Sequence, residues 1–227
     1  MSIFSPAPVR CPACASEVDL QLVQSINADR RPDLRQEILD DAFQRVTCEA
    51  CSETFRVEPE LTCLDVAHGL WISAWPIDDY TRWSELERRA ADTYGRAFGV
   101  LASGPAKAMG RSLRPRVVFG WPAFREKLLC GAHGLDDVAL ELTKVLILRA
   151  GGDPPLADTV ELRLVGVEGE ELLMRWLSTV DQRPVEDLRV PCALLDGVVA
   201  DPQGFASLRE GLTAGLYVDM NRLLVEG

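Results

Sequence analysis

The sequence of 227 residues has few histidines and few lysines, and it has no long apolar run. With two histidines in the whole chain, Ser-His-Asp or Cys-His catalysis has little material. No run approaches the roughly 18–20 apolar residues of a membrane span. The first residues, MSIFSPAPVR, lack the charged-then-apolar layout of a signal peptide. We therefore expect a soluble, cytoplasmic protein without a membrane partner.

Two common signatures of catalysis are also absent from the sequence. Neither a G-x-S-x-G nucleophile elbow nor a G-x4-G-K-S/T phosphate loop occurs. Asp136 and Asp137 resemble a catalytic carboxylate pair, but they stand at the start of a predicted helix, where the helix dipole favours anionic caps. We expect no enzymatic activity; the open alternative is an active cleft that the sequence does not reveal.

Negative charge prevails in the sequence as a whole. The 35 acidic and 24 basic side chains give a net charge of −11, which repels phosphate backbones and argues against general nucleic-acid binding. Residues 82–127 are the exception, with ten basic and four acidic side chains. Within them, the glycine- and proline-bearing residues 99–116 predict a loop with at most a short helical turn. That stretch holds the candidate partner-binding residues Lys107, Arg111, Arg114 and Arg116.

Three interpretations of this basic stretch remain open. Its side chains can pair with the acidic body of the protein in an ordinary solvated loop, or they can receive an acidic protein partner. They can also bind the phosphate groups of a nucleic acid, with Trp121 nearby in the sequence. If the stretch binds anything, we expect a protein partner rather than a nucleic acid.

Seven cysteines carry most of the chemistry, and an odd number without a secretion signal argues against a disulfide framework. Four of them form two C-x2-C pairs, Cys11 with Cys14 and Cys48 with Cys51. In such a pair a tight turn directs both thiolates at one ion, and two pairs complete a tetrahedron about 2.3 Å from each sulfur. The spacing predicts one Zn²⁺ bound by these four cysteines; a redox dithiol and unliganded thiols are the alternatives. Four thiolates leave no open coordination position, so the predicted ion is structural.

A second metal site is a weaker hypothesis. Cys130 and His133 have C-x2-H spacing, and Cys63 and His68 could nominally complete their ligand set. We favour a different interpretation, in which Cys130 is a buried residue of a helix and His133 lies in the last turn of that helix, where a cation is favoured.

The segment around the two pairs predicts a small sheet. The 33 residues between the pairs contain an alternating strand at 17–26 and a short amphipathic helix at 33–40, with Pro32 in its first turn. After the second pair, residues 54–58, 61–66 and 70–74 have the character of strands. We predict a zinc-ribbon-like lobe over residues 1–80, in which a helix is inserted.

The second half predicts a lobe of helices and a hairpin over residues 81–227, so the fold class is α+β. A helix is predicted over 84–98, with Ser84 and Glu87 as a capping box. The remaining predicted elements are a strand at 116–120, helices at 121–129 and 135–148, a turn at 151–155, a hairpin of 159–165 with 172–177, a strand pair at 190–199, and helical or irregular segments at 202–216 and 220–225.

The order of these motifs resembles a known family. CPAC, the run SINADRRPDLRQEILDD, the second C-x2-C and a hairpin that ends at Trp75 and Pro76 are similar to the bacterial and archaeal CpXC family. Further similar runs are VVFG, REKL, GLDD and ELTK between residues 117 and 144, and YVDMNR near the end of the chain. The resemblance implies the fold and the metal, and it implies no established activity. Members often have glycine after the second cysteine of each pair, where Ala15 and Ser52 stand here; a positive φ eases hydrogen bonding to sulfur at this point.

Together these features predict a non-enzymatic zinc-binding protein that acts as an interaction or adaptor module in a bacterial cytoplasm. The alternative is a nucleic-acid-associated regulator that uses the basic stretch at 107–116.

Overall fold

The structure is a computed structural model that describes residues 2–150 and 159–225. The strands are β1 (Ile3–Arg10), β2 (Glu17–Asn27), β3 (Arg45–Thr47), β4 (Thr54–Arg56), β5 (Leu61–Asp65), β6 (Leu70–Trp75), β7 (Arg114–Phe119), β8 (Val160–Glu168), β9 (Glu171–Ser178) and β10 (Pro184–Pro191). The α-helices are α1 (Pro32–Leu39), α2 (Trp83–Phe98), α3 (Gly104–Ser112), α4 (Gly120–His133), α5 (Asp137–Ala150), α6 (Cys192–Ala200), α7 (Ala206–Leu212) and α8 (Arg222–Val225). The predicted α+β class is confirmed.

The main sheet has five strands in the order β1-β2-β5-β6-β7. β2 runs parallel to β5 and β6 runs parallel to β7, whereas the other neighbours are antiparallel. β1 was not predicted from the sequence, because Pro6 and Pro8 cannot donate hydrogen bonds within a ladder. They are accommodated because β1 is an edge strand that pairs on one side with β2.

Helices cover both faces of this sheet. One face packs against α1 and α4 through a core that includes Ile38, Ile72 and Phe124. The other face packs against α2 through aromatic residues that include Trp71 and Trp75. A separate two-stranded sheet, β3 with β4, stands beside it.

The second half of the chain builds an antiparallel sheet in the order β10-β9-β8, with α5, α6 and the short terminal helices packed against it. Its β8–β9 hairpin was predicted. α4 lies between the two sheets, because Leu128 belongs to the core of the first and Leu129 to the core of the second. Gly134 ends α4 with φ +65, a conformation that glycine adopts without strain, and α5 follows directly.

Three local predictions were wrong. Residues 99–116 are not a loop, because α3 forms within them: Ser103 caps its amide end and a proline occupies its first turn, a position that proline favours. Residues 190–199 are not a strand pair. β10 ends at Pro191 and α6 follows, since a short apolar run fits a buried helix as well as a strand.

The capping box at the start of α2 is the third wrong prediction. The helix continues directly from a 3-10 helix (Ile77–Arg82), so Ser84 lies inside the first turn and no side chain caps the end. Glu87 instead accepts hydrogen bonds from the amide of Tyr217, at 2.7 Å, and from Arg222, at 2.8 Å. It therefore fixes the C-terminal segment to α2.

The division into domains 1–80 and 81–227 stays a prediction. The main sheet extends across residue 80, because β7 pairs with β6. The turn predicted at 151–155 lies outside the described residues. None of the helices within residues 2–150 and 159–225 has the length and apolar character needed to cross a membrane.

Candidate metal centre

Two hairpins present the four cysteines of the C-x2-C pairs. Cys11 and Cys14 lie in the turn between β1 and β2, and Cys48 and Cys51 lie in the turn between β3 and β4. The two turns have the same backbone hydrogen bonds, although their sequences, CPACAS and CEACSE, share only the two cysteines and one alanine. Each of these six-residue turns, 11–16 and 48–53, forms a knuckle.

In each knuckle the first cysteine anchors the turn through its backbone. The carbonyl of Cys11 accepts the amide of Ala15 at 2.9 Å, and the carbonyl of Cys48 accepts the amide of Ser52 at 2.8 Å. The amide of each first cysteine donates in turn to the carbonyl five residues further on, at 2.9 and 2.8 Å. The two halves of the site are therefore built by one local geometry, which the C-x2-C spacing specifies.

The residue after the second cysteine has a left-handed backbone in both knuckles, as expected from the sequence. Ala15 has φ +60 and Ser52 has φ +63. A residue with a β-carbon is strained there by about 1–2 kcal/mol. The knuckle retains this geometry without glycine, so the two substitutions do not prevent the sulfurs from meeting.

The four sulfurs lie within 4.8 Å of one another. Cys11 Sγ is 3.6 Å from Cys51 Sγ, and Cys14 Sγ is 3.7 Å from Cys48 Sγ. Sulfurs bound at 2.3 Å to a tetrahedral ion are about 3.8 Å apart, whereas a disulfide holds its sulfurs at about 2.05 Å. The spacing therefore fits one small tetrahedral metal ion between the two knuckles.

Burial differs within each knuckle. Cys11 and Cys48 are buried, and Cys14 and Cys51 are exposed. The second sulfur of each knuckle therefore faces solvent, and the first lies inside the protein.

The four thiols cannot all ionise in isolation. Hydrogen bonding with Ser16, through its hydroxyl and then its amide, lowers the pKa of Cys14 to about 6. At Cys51 the amide of Glu53 also lowers the pKa, but the neighbouring thiols and desolvation outweigh it and raise the pKa to about 12. A divalent cation removes the repulsion between neighbouring thiolates because it stabilises every thiolate at once. The residues present therefore fit a thiophilic ion such as Zn²⁺.

The hairpin β3–β4 is attached to the rest of the protein mainly at its base. The guanidinium of Arg56 lies 4.2 Å from the ring centroid of Trp121, and its Nε donates to the carbonyl of Phe43 at 2.7 Å. The indole of Trp121 donates to the carbonyl of Val57 at 2.8 Å. Cys48 and Cys51 lie at the opposite end of this hairpin, where a bound ion would connect it to the β1–β2 hairpin.

The structure separates the four candidate partner-binding residues. Lys107 and the exposed Arg111 lie one turn apart on α3, and the exposed Arg114 begins β7. Arg116 is engaged inside the protein, since its Nε donates to Asp137 at 2.6 Å. Whether the first three bind a partner stays a prediction.

The residues of the hypothetical second metal site do not assemble. Cys63 and Cys130 are buried thiols, and burial raises the pKa of both. His68 Nδ1 lies 2.7 Å from Asp65. In the described part of the chain, none of Cys63, His68, Cys130 and His133 belongs to a group of three potential metal ligands.

The most unusual feature that sequence analysis missed is a buried ionic network around α4, α5 and β8. Its four cations and five carboxylates are Arg116, Lys127, Lys144, Arg163, Glu126, Asp137, Glu141, Glu161 and Asp219. Every member except Arg116 is buried. The signal in the sequence was the presence of Glu141 and Lys144 within an otherwise apolar run, one helical turn apart.

Lys144 is at the centre of this network. Its ammonium donates to Glu126 at 2.7 Å and to both oxygens of Glu141 at 3.0 and 3.2 Å. Lys127 donates to Glu141 at 3.0 Å and to the carbonyl of Val218 at 2.7 Å. Burial alone would lower the pKa of both lysines, but the surrounding carboxylates outweigh it and raise the pKa of each. The network therefore joins α4, α5 and the C-terminal segment by charged contacts that water does not reach.

Comparison with known proteins gives one family. A sequence model described as CpXC protein matches residues 9–144, which is more than half of the chain and includes both knuckles, α4 and most of α5. Searches of curated proteins and of solved structures give no match.

Proposed function

This chain belongs to the CpXC family, and we propose that it is a non-enzymatic protein in which one structural Zn²⁺ holds an interaction or adaptor module together in a bacterial cytoplasm. The observation that carries the proposal is the spacing of the four sulfurs, 3.6 and 3.7 Å for the two closest pairs across the site.

The donor set selects the class of metal. Magnesium and calcium take oxygen ligands, and Cu²⁺ and Ni²⁺ favour flatter arrangements, whereas a tetrahedron of thiolates suits zinc or iron. Zn²⁺ has no redox chemistry of its own and would have no open position in this site. Its role is then mechanical, since it ties the β1–β2 hairpin of the main sheet to the separate β3–β4 hairpin.

The surface around α3 is the proposed docking site for a partner. Val100 and Leu101 precede this helix and are 87% and 97% exposed, a rare arrangement for two adjacent aliphatic side chains. Lys107 and Arg111 lie four residues apart on the helix, so they share a face. This combination favours an acidic protein segment that also carries aliphatic side chains.

Metal content tests the structural part of the proposal. Protein purified under reducing conditions is expected to contain about one zinc per chain by elemental analysis. The double variant Cys11→Ser with Cys48→Ser should lose the metal and lower the melting temperature by more than about 10 °C, because structural zinc contributes on the order of 10 kcal/mol in apparent terms. The matched control is Cys192→Ser, a partly exposed thiol outside the site. Stoichiometric iron, or a double variant as stable as the control, contradicts the proposal.

Charge reversal tests the adaptor part. A partner isolated from the host by crosslinking should bind the purified protein with salt-sensitive affinity. Lys107→Glu with Arg111→Glu should weaken this binding at least about tenfold, roughly 1.4 kcal/mol. The control is Arg183→Glu with Arg189→Glu, which makes the same charge change at exposed positions just before and within β10. Equal loss in both variants indicates a long-range charge effect and contradicts docking at α3, while DNA binding that only the α3 variant abolishes would favour the regulator.

A further inference from the structure

A cavity of about 270 Å³ lies between the loop that follows α1, the first turns of α4 and the strands β8 and β9. Its polar lining is dominated by arginine, in a chain whose net charge is −11. The charged residues of the lining are Arg45, Arg125, Arg163, Arg175 and Asp41. Arg45, Arg125 and Arg175, from three separate segments, therefore line one cavity together with Asp41, and Arg163 belongs to its wall.

Arg125 is the least neutralised of these arginines. Its Nε donates to the carbonyl of Leu39 at 2.7 Å, and within residues 2–150 and 159–225 it has no other hydrogen bond and no ion pair. Its remaining N–H groups are available to a ligand. Burial lowers the pKa of this arginine; the negative charge of Asp41 opposes this effect, and the positive charge of Arg175 adds to it. An anion between these two groups would relieve their repulsion.

Arg163 is held rigidly at the wall of the cavity. The ionic network engages both of its terminal nitrogens: one donates to Asp219 at 2.6 Å and to Glu126 at 3.2 Å, and the other donates to Glu161. Its Nε is fully buried and has no hydrogen-bond partner among the described residues. A nitrogen without accessible surface cannot contact a ligand in the cavity, so Arg163 forms part of the wall and donates no hydrogen bond to a bound molecule.

The other two arginines are in weaker ion pairs. Arg45 pairs with Asp41 and Arg175 with Asp187, and these carboxylates are 50% and 65% exposed. Exposed pairs of this kind contribute about 0–1 kcal/mol, so a ligand can compete for either guanidinium at little cost. Asp41 itself also accepts a hydrogen bond from Arg56, which reduces its repulsion of an incoming anion.

We propose that this cavity binds a small molecule that carries a phosphoryl group. Arginine forks match phosphate oxygens in pairs, and three of them from different directions suit a tetrahedral dianion better than a single carboxylate. The volume corresponds to roughly nine water molecules at about 30 Å³ each. That space admits a phosphate with a small organic group.

Calorimetric titration of the zinc-loaded full-length protein tests this assignment. The probes are inorganic phosphate and glycerol 3-phosphate at constant ionic strength, and they distinguish a free phosphate from a phosphomonoester. At least one should bind with Kd below about 1 mM. Arg125→Gln and Arg175→Gln should each raise that Kd at least about tenfold. Arg189→Gln is the matched control on β10, where Arg189 pairs with two exposed carboxylates, and it should leave the Kd unchanged.

Each result decides the question. Arg175 is only partly buried, so Arg175→Gln keeps the test valid if Arg125→Gln fails to fold, since Arg125 also holds the carbonyl of Leu39. No binding of either probe at 20 times the expected Kd overturns the proposal, as does an equal loss of affinity in Arg189→Gln. Tight binding of a single-stranded oligonucleotide that requires Arg125 would also overturn it, because the ligand would then be a nucleic acid. The test is independent of the zinc proposal, because zinc content is measured separately in every variant.

Discussion

The two knuckles and the buried ionic network both concentrate acidic groups at short range, and they differ in where the compensating cation comes from. The four thiols lie within 4.8 Å of one another, and among the described residues their hydrogen bonds join them to one another and to Ser16 rather than to a basic side chain; the proposed ion would supply the positive charge. The five carboxylates of the network are compensated by Lys127, Lys144 and two arginines of the chain itself. Under the proposed function, one region therefore responds to metal supply, and the other is held by cations that belong to the chain itself.

The choice of lysine at the centre of the network has a geometric reason. The chain has 24 basic residues, of which three are lysines, and two of these three are buried in the network. An ammonium is a compact charge with three donors in a tetrahedral arrangement. Lys144 reaches two different carboxylates from one point, whereas the planar fork of an arginine requires more space.

Metal removal gives the largest expected difference between the two regions. When a chelator strips the ion from native protein, amides of residues 45–56 should lose protection from hydrogen exchange by about three orders of magnitude or more, because the β3–β4 tip has few other attachments. Amides of α5 should change by less than about tenfold. Mass spectrometry of deuterium uptake measures both regions in one experiment.

Addition of zinc should restore the original protection. A uniform loss of protection over both regions would show that the metal supports the whole fold, and the contrast between an external and an internal cation would then be wrong. Unchanged exchange at residues 45–56 would remove the structural role of the metal.

Loss of the central lysine should be the next largest effect. Lys144→Met leaves Glu126 and Glu141 buried with less compensation, and it should lower the free energy of unfolding by about 3–5 kcal/mol in urea denaturation. The loss should be greater at pH 8 than at pH 5. Without the ammonium the pKa values of both carboxyl groups rise, so protonation relieves the buried charge at the lower pH.

The matched control for this variant is Lys107→Met on α3. Lys107 is only partly buried and lies outside the network, so the same substitution should change stability by less than about 0.5 kcal/mol. Similar losses in the two variants would indicate that the network contributes no more than surface charge does.

The sequence is informative about the metal centre because its pattern is local. Two residues between cysteines define one turn, so the four ligands could be named without any knowledge of the tertiary structure. Pro32 likewise marked the first turn of α1 correctly. The network has no such local pattern, because Lys127 contacts the carbonyl of Val218, 91 residues away. Its members are recognisable only as charged residues in apolar surroundings, and their partners depend on how the two sheets pack.

The wrong predictions in the second half have the same origin. The strand pair expected at 190–199 rested on an apolar run, and such a run is compatible with a strand or with a buried helix. Packing decides between them: Leu195 and Val198, three residues apart, are buried together on one face of α6. The edge strand β1 was missed for the opposite reason, because prolines that are unsuitable inside a sheet are acceptable at its edge.

The pH dependence of one carboxylate probes the network at its rim. Burial would raise the pKa of Asp137, but Lys127 and Arg116 outweigh it and hold the pKa well below its usual range. A carboxyl group whose pKa is lowered by folding stabilises the folded protein at pH values above its pKa in the unfolded chain, near 3.9. This stabilisation is lost as the pH falls through its pKa in the folded protein. Asp137→Asn should therefore cost about 2–3 kcal/mol at pH 7 and a smaller amount at pH 2, where only part of the contribution has been lost. Denaturant midpoints of both proteins at the two pH values measure the difference.

The neighbouring residue provides the control. Asp136 caps α5 by accepting the amides of Val138 and Ala139 at 2.8 and 3.1 Å, and asparagine caps helices equally well. Asp136→Asn should change stability by less than about 0.5 kcal/mol at either pH. A cost for Asp137→Asn that does not depend on pH would mean that hydrogen-bond geometry, rather than charge, stabilises this part of the network.

The smallest expected effect concerns the knuckles, where backbone strain rather than charge is at stake. Ala15→Gly should stabilise the zinc-loaded protein by up to about 1 kcal/mol, because glycine adopts φ +60 without the clash of a β-carbon. The larger conformational entropy of glycine in the unfolded chain offsets part of this gain. Ala13→Gly, in the same knuckle at a position without a positive φ, should instead be neutral or cost about 0.5–1 kcal/mol. Thermal denaturation at saturating zinc compares the two. Equal effects would show that the left-handed turn stores no strain, and the two knuckles would then reach their metal-binding geometry as readily with alanine and serine as with glycine.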